Sequence, residues 1–177
     1  QLNEGAHPVV LGVNLSVQSI NDDTLRYLTA WHGRKPDALR YLEIEITEHH
    51  LPDQNDDFRQ RLEALDGLGI ALALDDFGSG YANLSKLPDL PFRTIKLDQS
   101  FIRDLPNSEK QMAVVKAIVD LCSSLSITVV AEGVETEEEL NAVSKLGCHF
   151  IQGFVYSKPR ALADAIEWFE QRQMARQ

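Results

Sequence analysis

The chain reads as an α/β domain built on a parallel sheet, and three observations predict it. Short apolar runs of strand length alternate with longer segments of helical periodicity, the alternation recurs six times, and no linker, repeat or low-complexity tract interrupts it. Consecutive parallel strands need a crossover, which an intervening helix supplies, so helices pack outside the sheet. The pattern alone is compatible with an open doubly wound sheet or with a barrel.

Val9 to Leu15 is the first apolar strand, followed by a helix with Leu25, Leu28 and Trp31 on one face. Tyr41 to Thr47 is the second strand, with Leu42, Ile44 and Ile46 alternating with Glu43 and Glu45. Phe58, Leu62, Leu65 and Leu68 mark a helix that Gly69 closes. Ile70 to Leu74 is the third strand; a loop and a short helix carrying Tyr81, Leu84 and Leu87 lead to the fourth, Thr94 to Leu97. Ser108 and Gln111 have the spacing of a capping box and open a helix with Met112, Val115, Ile118, Val119, Cys122 and Leu125 on one face. Ile127 to Ala131 is the fifth strand. A second capping box, Thr136 with Glu139, opens a helix that Gly147 ends. Phe150 to Gly153 reads as the sixth strand and Leu162 to Gln171 as the last helix.

At 177 residues the chain is long enough for one domain with a sizeable core, and 44% of its residues are apolar. No apolar run approaches the roughly 20 residues of a membrane helix, and the first residues show neither the basic nor the apolar region of a signal peptide. A formal net charge of −10 argues against binding duplex nucleic acid through its phosphates. It does not exclude an anionic substrate, because divalent cations held by carboxylates reverse the local sign. Cys122 and Cys148 read as reduced, buried thiols of a cytoplasmic protein rather than a disulfide.

The polar residues collect at the carboxyl ends of the strands. Asn14 ends the first, Glu45 and Glu48 the second, and Asp75 and Asp76 the third. Lys96 and Asp98 end the fourth, Glu132 and Glu135 follow the fifth, and Gln152 ends the sixth. Barrels and open α/β sheets both place their active sites at this end. A single acidic residue after a strand is ordinarily a helix cap or a solvated loop residue, but six successive strands ending this way in apolar settings are not a run of independent caps. Asp75 and Asp76 are the strongest element. Neighbouring strand side chains point to opposite faces, so both reach one site only if the backbone turns between them. Two carboxylates brought together there repel unless a cation or proton intervenes. Oxygen donors without His or Cys suit Mg²⁺ or Mn²⁺ rather than Zn²⁺. Lys96 is either a structural ion-pair partner or a group that orients water and offsets charge on a phosphoryl group. Carboxylates around it would keep it protonated.

Other patterns carry less. Asp76-Phe77-Gly78 spells the kinase D-F-G without a Gly-rich loop or H-R-D sequence before it. Gly78-Ser79-Gly80 is not a dinucleotide fingerprint, because position 83 is Asn. His49 and His50 are read as loop residues rather than a metal pair, and Trp31, Trp168 and Phe169 as packing residues.

Taken in order, Asn14-Leu15-Ser16, Glu45-Ile46-Thr47-Glu48, Asp75-Asp76-Phe77-Gly78-Ser79-Gly80, Ile95-Lys96-Leu97-Asp98, Ala131-Glu132-Gly133-Val134-Glu135, Gln152-Gly153-Phe154 and Ser157-Lys158-Pro159 resemble the successive motifs of the EAL-domain family across essentially the whole chain. The resemblance implies a TIM-like (β/α)8 barrel of the EAL type with one antiparallel strand. It implies a hydrolase that opens one phosphodiester bond of the bacterial second messenger cyclic di-GMP to give linear pGpG. By motif position, Asn14, Glu45 and Asp75 would ligate one metal, and Asp75, Asp76 and Glu132 a second. Lys96 and Gln152 would hold the attacking water, and Glu132 is also the implied general base. Glu48 would anchor the loop Asp76 to Asn83, and Asp98 and Glu135 stand beside the site as supporting residues.

Ser79 replaces the commoner Thr of that loop and keeps its hydroxyl. The family's E-x-L-x-R segment is not found, since the only earlier acid, Glu4 in Asn3-Glu4-Gly5, does not fit it. The expectation is therefore that residues 1–177 form a single EAL domain, its larger C-terminal part, with about six of the eight β-α units and without the first two strands. Further expectations are a homodimer through barrel helices and the loop after Asp76, an upstream sensory or GGDEF-type domain, and a cytoplasmic location. Two non-catalytic readings compete with the enzyme: a cyclic-di-GMP receptor, and a barrel interaction module. Alone, the chain is expected to turn over weakly or not at all.

Overall fold

The computed structural model describes residues 9–51, 56–79 and 84–174. Its six strands are β1 (Leu11–Asn14), β2 (Leu42–Thr47), β3 (Ala71–Phe77), β4 (Thr94–Leu97), β5 (Thr128–Ala131) and β6 (Phe150–Ile151). They pair parallel in chain order, β1-β2-β3-β4-β5-β6. A doubly wound sheet reverses its strand order at a switch point. No reversal occurs among the described strands, so every right-handed crossover places its helix on the same side of the sheet. The other side must then curl inward, and the sheet is the half-barrel that the TIM-like expectation requires.

Register assigns the two faces. Asn14 lies beside Glu45, Glu45 beside Ala73, Ala73 beside Thr94, and Lys96 beside Val130. Neighbours across a parallel ladder point the same way, so these residues share the concave face. The alternate residues, Ile44, Ile46, Leu72, Leu74, Ile95, Leu97, Val129 and Ala131, are all buried beneath the helices. They meet Phe58, Leu62 and Leu65 of α2 (Asp56–Gly67), Val115, Val119 and Cys122 of α4 (Glu109–Ser124), and Val143 of α5 (Glu137–Leu146) in one core. Each fully buried branched side chain contributes about 1.5–3 kcal/mol, so the core fixes the register and thereby decides which residues the concave face receives.

The helix ends follow their capping chemistry. Asn21 caps α1 (Asp22–Arg34), accepting from the Asp23 and Thr24 amides. Thr136 and Glu139 form the expected reciprocal box at α5. Gly69 and Gly147, at φ of +82° and +89°, turn the chain out of α2 and α5. The first capping box is corrected by half: Ser108 accepts from the Gln111 amide, but the Gln111 side chain donates to the carbonyls of Ser100, Phe101 and Arg103. It is drawn there by an element the periodicity did not disclose, the four-residue helix α3 (Gln99–Ile102), too short to show a repeat.

Other boundaries also move. β3 continues through Asp75 and Asp76 to Phe77, β6 ends at Ile151, and α6 runs Leu162–Met174. His49 and His50 belong to a single 3-10 turn after β2. Tyr81, expected in a short helix with Leu84 and Leu87, lies outside the described residues, and the described stretch that follows, Leu84–Asp89, is a 3-10 helix. Cys122 and Cys148 are free thiols, Cys122 buried as expected and Cys148 only partly so, and burial pushes both up to about 11. Trp31 is 41% exposed, so it packs with only part of its ring. No described helix is long and apolar enough to cross a membrane.

Candidate active site

The site is built where β3 breaks its alternation. Leu74 pairs with Ile95 and Phe77 with Leu97, so β3 spends three steps where β4 spends two. That is a bulge of one residue. Leu74 and Phe77 both face the helices and are buried, which leaves Asp75 and Asp76 together on the concave face. The required turn is visible at Asp76, whose φ of +53° lies in the left-handed region. One oxygen from each of Asp75, Asp76 and Glu132 lies within 4.8 Å of the others.

Lys96 projects from β4 into this group and is 6% exposed. Its Nζ lies 2.8 Å from Glu45 Oε2, 2.8 Å from Glu132 Oε1 and 3.3 Å from Asp75 Oδ1. Three donors thus face three carboxylates. Burial works against the charged amine, but the hydrogen bonds to Glu132 and Glu45 prevail and hold Lys96 above the ordinary lysine range. Burial raises the Glu132 carboxyl, and the Lys96 hydrogen bond only partly offsets it. Burial also raises Asp76, with Asp75 and Asp98 adding like-charge repulsion.

The remaining expected residues are placed with less contact. Asn14 shares the concave face with Glu45 but is exposed at the edge strand β1. Gln152 follows β6 and lines, with Asp76, Asp98, Glu132, Glu135 and Phe154, a groove of about 500 Å³. Asp98 caps α3 by accepting from the Ser100 amide at 2.9 Å. Glu135 is exposed at the groove, its amide bonded to Glu139. Glu48 is buried and accepts the Gly78 amide at 2.7 Å, tying the turn after β2 to the loop after β3. Gly78, at φ +93°, has no room for a side chain, because a Cβ there would overlap the Phe101 ring. Residues 80–83 of that loop are outside the described set.

Two features were not singled out from sequence. Gln99 and Lys158 line the groove, Gln99 one position beyond a strand-end acid and Lys158 within a motif read only for resemblance. Below the site, Thr94 Oγ1 donates to Glu43 Oε2 at 2.8 Å, a pair the alternation of β2 placed on the concave face without naming a partner.

The residues present fit divalent cations. Glu45, Asp75, Asp76 and Glu132 face the single positive charge of Lys96, and buried Asp75 Oδ1 has that amine 3.3 Å away as an ion-pair contact but accepts no hydrogen bond. An all-oxygen donor set of this charge is chemistry for a hard ion.

Comparison with known proteins agrees with this geometry. Residues 1–159 match the family model described as the EAL domain. The cyclic di-GMP phosphodiesterase NbdA of Pseudomonas aeruginosa is 42% identical over 132 residues, which is 75% of this chain and 17% of NbdA. Among solved structures, Klebsiella pneumoniae BlrP1 in complex with manganese and cyclic di-GMP superposes with a TM-score of 0.76 at 38% identity, covering 85% of this chain and 39% of that one. The EAL domain of Mycobacterium smegmatis DcpA superposes with a TM-score of 0.83 at 32% identity, covering 92% of this chain and 73% of that one. With the strand-end motifs in order, the bulged aspartate pair and the family match over most of its length, the chain belongs to the EAL-domain family.

Proposed function

We propose that the protein containing this chain hydrolyses cyclic di-GMP to linear pGpG with Mg²⁺ or Mn²⁺. The observation that carries the reading is the buried Lys96 amine held among Glu45, Asp75 and Glu132, next to a second aspartate that only a backbone bulge could bring there. Asn14, Glu45, Asp75, Asp76 and Glu132 would hold the cations, which supply charge for an anionic substrate and lower the pKa of water. The chain's own residues do the rest. Glu132, raised by burial, is poised as the base that takes a proton from the attacking water. Lys96 remains charged; it positions that water with Gln152 and offsets charge developing on the phosphoryl oxygens. Glu48, Asp98 and Glu135 hold the surrounding loops.

Further proposals accompany this one. Val114 and Leu121, 48% and 37% exposed one heptad apart on α4, are a surface for the homodimer through barrel helices. An upstream sensory or GGDEF-type domain and a cytoplasmic location suit a second-messenger enzyme. Because no E-x-L-x-R segment occurs in residues 1–177, this stretch alone should turn over weakly or not at all.

The test is product analysis with the complete protein, cyclic di-GMP and Mg²⁺ or Mn²⁺. Metal-dependent appearance of pGpG supports the reading. Tight binding without product would replace it with the receptor, and neither binding nor turnover with an interaction module.

A further inference from the structure

We infer that His49 is a positioning residue that holds the Asp76 carboxylate in the site through Ser79. The inference rests on the metal-site reading above and adds a residue to it. Asp76 occupies a left-handed backbone conformation at φ +53°, which costs a non-glycine residue of order 1 kcal/mol or more, so its surroundings must hold it there. The hold is visible at its carbonyl, which accepts from the Ser79 hydroxyl at 2.6 Å and from the Ser79 amide at 3.1 Å. The Ser79 hydroxyl proton is thereby committed, and its oxygen is left as an acceptor.

The group facing that oxygen is His49 Nδ1, at 3.4 Å. With no proton available from Ser79, a hydrogen bond across this contact requires the imidazole to donate, and therefore requires the ring in its Nδ1–H form. The result is a directed chain from His49 to Ser79 to the Asp76 carbonyl. It runs beside the bond from the Gly78 amide to Glu48. Two consecutive residues of the turn after β2, Glu48 and His49, therefore grip two consecutive residues of the loop after β3. The grip sets the backbone from which the Asp76 carboxylate reaches toward Asp75 and Glu132. His49 touches no reacting group and acts only through the backbone of Asp76.

The experiment combines Mn²⁺ titration with side-chain ¹⁵N spectroscopy on the protein and its His49→Ala, His49→Asn and Ser79→Ala variants, at about pH 8, where an ordinary imidazole is neutral. An Asn amide nitrogen occupies the position of imidazole Nδ1 and keeps the donor. His49→Ala and Ser79→Ala should each weaken Mn²⁺ binding by about tenfold, the usual scale for supporting residues around a metal site. The double variant should be no weaker than either single one, since both break one chain. His49→Asn should return affinity to within about twofold of the parent, on the same scale. Without metal, the His49 ring should carry its proton on Nδ1, whereas an unconstrained neutral imidazole favours Nε2. An Nε2-protonated ring, an Asn variant as weak as the Ala variant, or unchanged Mn²⁺ affinity in Ser79→Ala overturns the proposal. If the parent does not bind Mn²⁺, the metal-site reading fails, and the His49 tautomer still decides whether the chain to Asp76 exists.

Discussion

Replacing Lys96 by Met keeps the length of the side chain and removes its charge from the centre of the site. Glu45, Asp75 and Glu132 then lose the amine they share, with their side chains 12%, 11% and 16% exposed. Removing one partner of a buried ion pair typically costs about 3–5 kcal/mol, because the remaining charge is left uncompensated. With a urea slope of about 2 kcal/mol per molar, the unfolding midpoint should fall by about 1.5–2.5 M. The sign with pH is definite. In the parent, the folded pKa of Lys96 is raised, so its contribution is fully present below the unfolded value of about 10.4 and is lost as pH rises through the folded value. In the variant, the Glu132 carboxyl, already raised by burial, loses the Lys96 bond that partly offsets it and favours protonation in the folded state. The variant's deficit should therefore be largest near pH 8 and shrink toward pH 5, and millimolar Mn²⁺ should shrink it as well by replacing the lost charge. Urea unfolding followed through Trp31 and Trp168 fluorescence measures all of this. A variant that unfolds at the parent midpoint, or whose deficit is the same at both pH values, refutes the view of Lys96 as the counter-charge of this pocket.

Three other outcomes are expected. In the complete protein, Glu132→Gln should abolish single turnover while cyclic-di-GMP affinity largely survives, whereas Asp75→Asn should weaken metal and substrate binding together; near-parental turnover by Glu132→Gln removes Glu132 as the base. Gly78→Ala should destabilise the loop by at least about 1 kcal/mol, from the positive φ together with the overlap with the Phe101 ring, read as faster amide exchange at Phe77 to Ser79. Because Cys122 and Cys148 are held up to about 11 by burial, iodoacetamide at pH 7.5 should label neither thiol until the protein unfolds, and the modified peptides identify any exception by mass spectrometry.

The sequence by itself determined the order of strands and helices, the end of the sheet at which the polar residues collect, and the identity of those residues. These are local properties: periodicity, caps, glycine stops and a polar residue at the close of each apolar run. The helical stop at Gly147 and the reciprocal Thr136–Glu139 cap needed no more than their neighbours along the chain. What only the tertiary structure decided depends on pairing between segments distant in sequence. The choice of barrel over doubly wound sheet came from strand order, which no single strand encodes. The turn between Asp75 and Asp76 was a requirement from sequence, but the device, one extra residue in β3 against β4, exists only in the register of that pair. Gln111 left its expected cap because α3 lies within reach of it, and His49 found Ser79 across 30 residues of chain. Lys96 acquired its partners in the same way, from Glu45 and Asp75 on one side and Glu132 on the other. A side chain's chemistry is written in its residue type, but its charge state and neighbours are set by burial, and burial is the property that the packing of helices against the sheet creates.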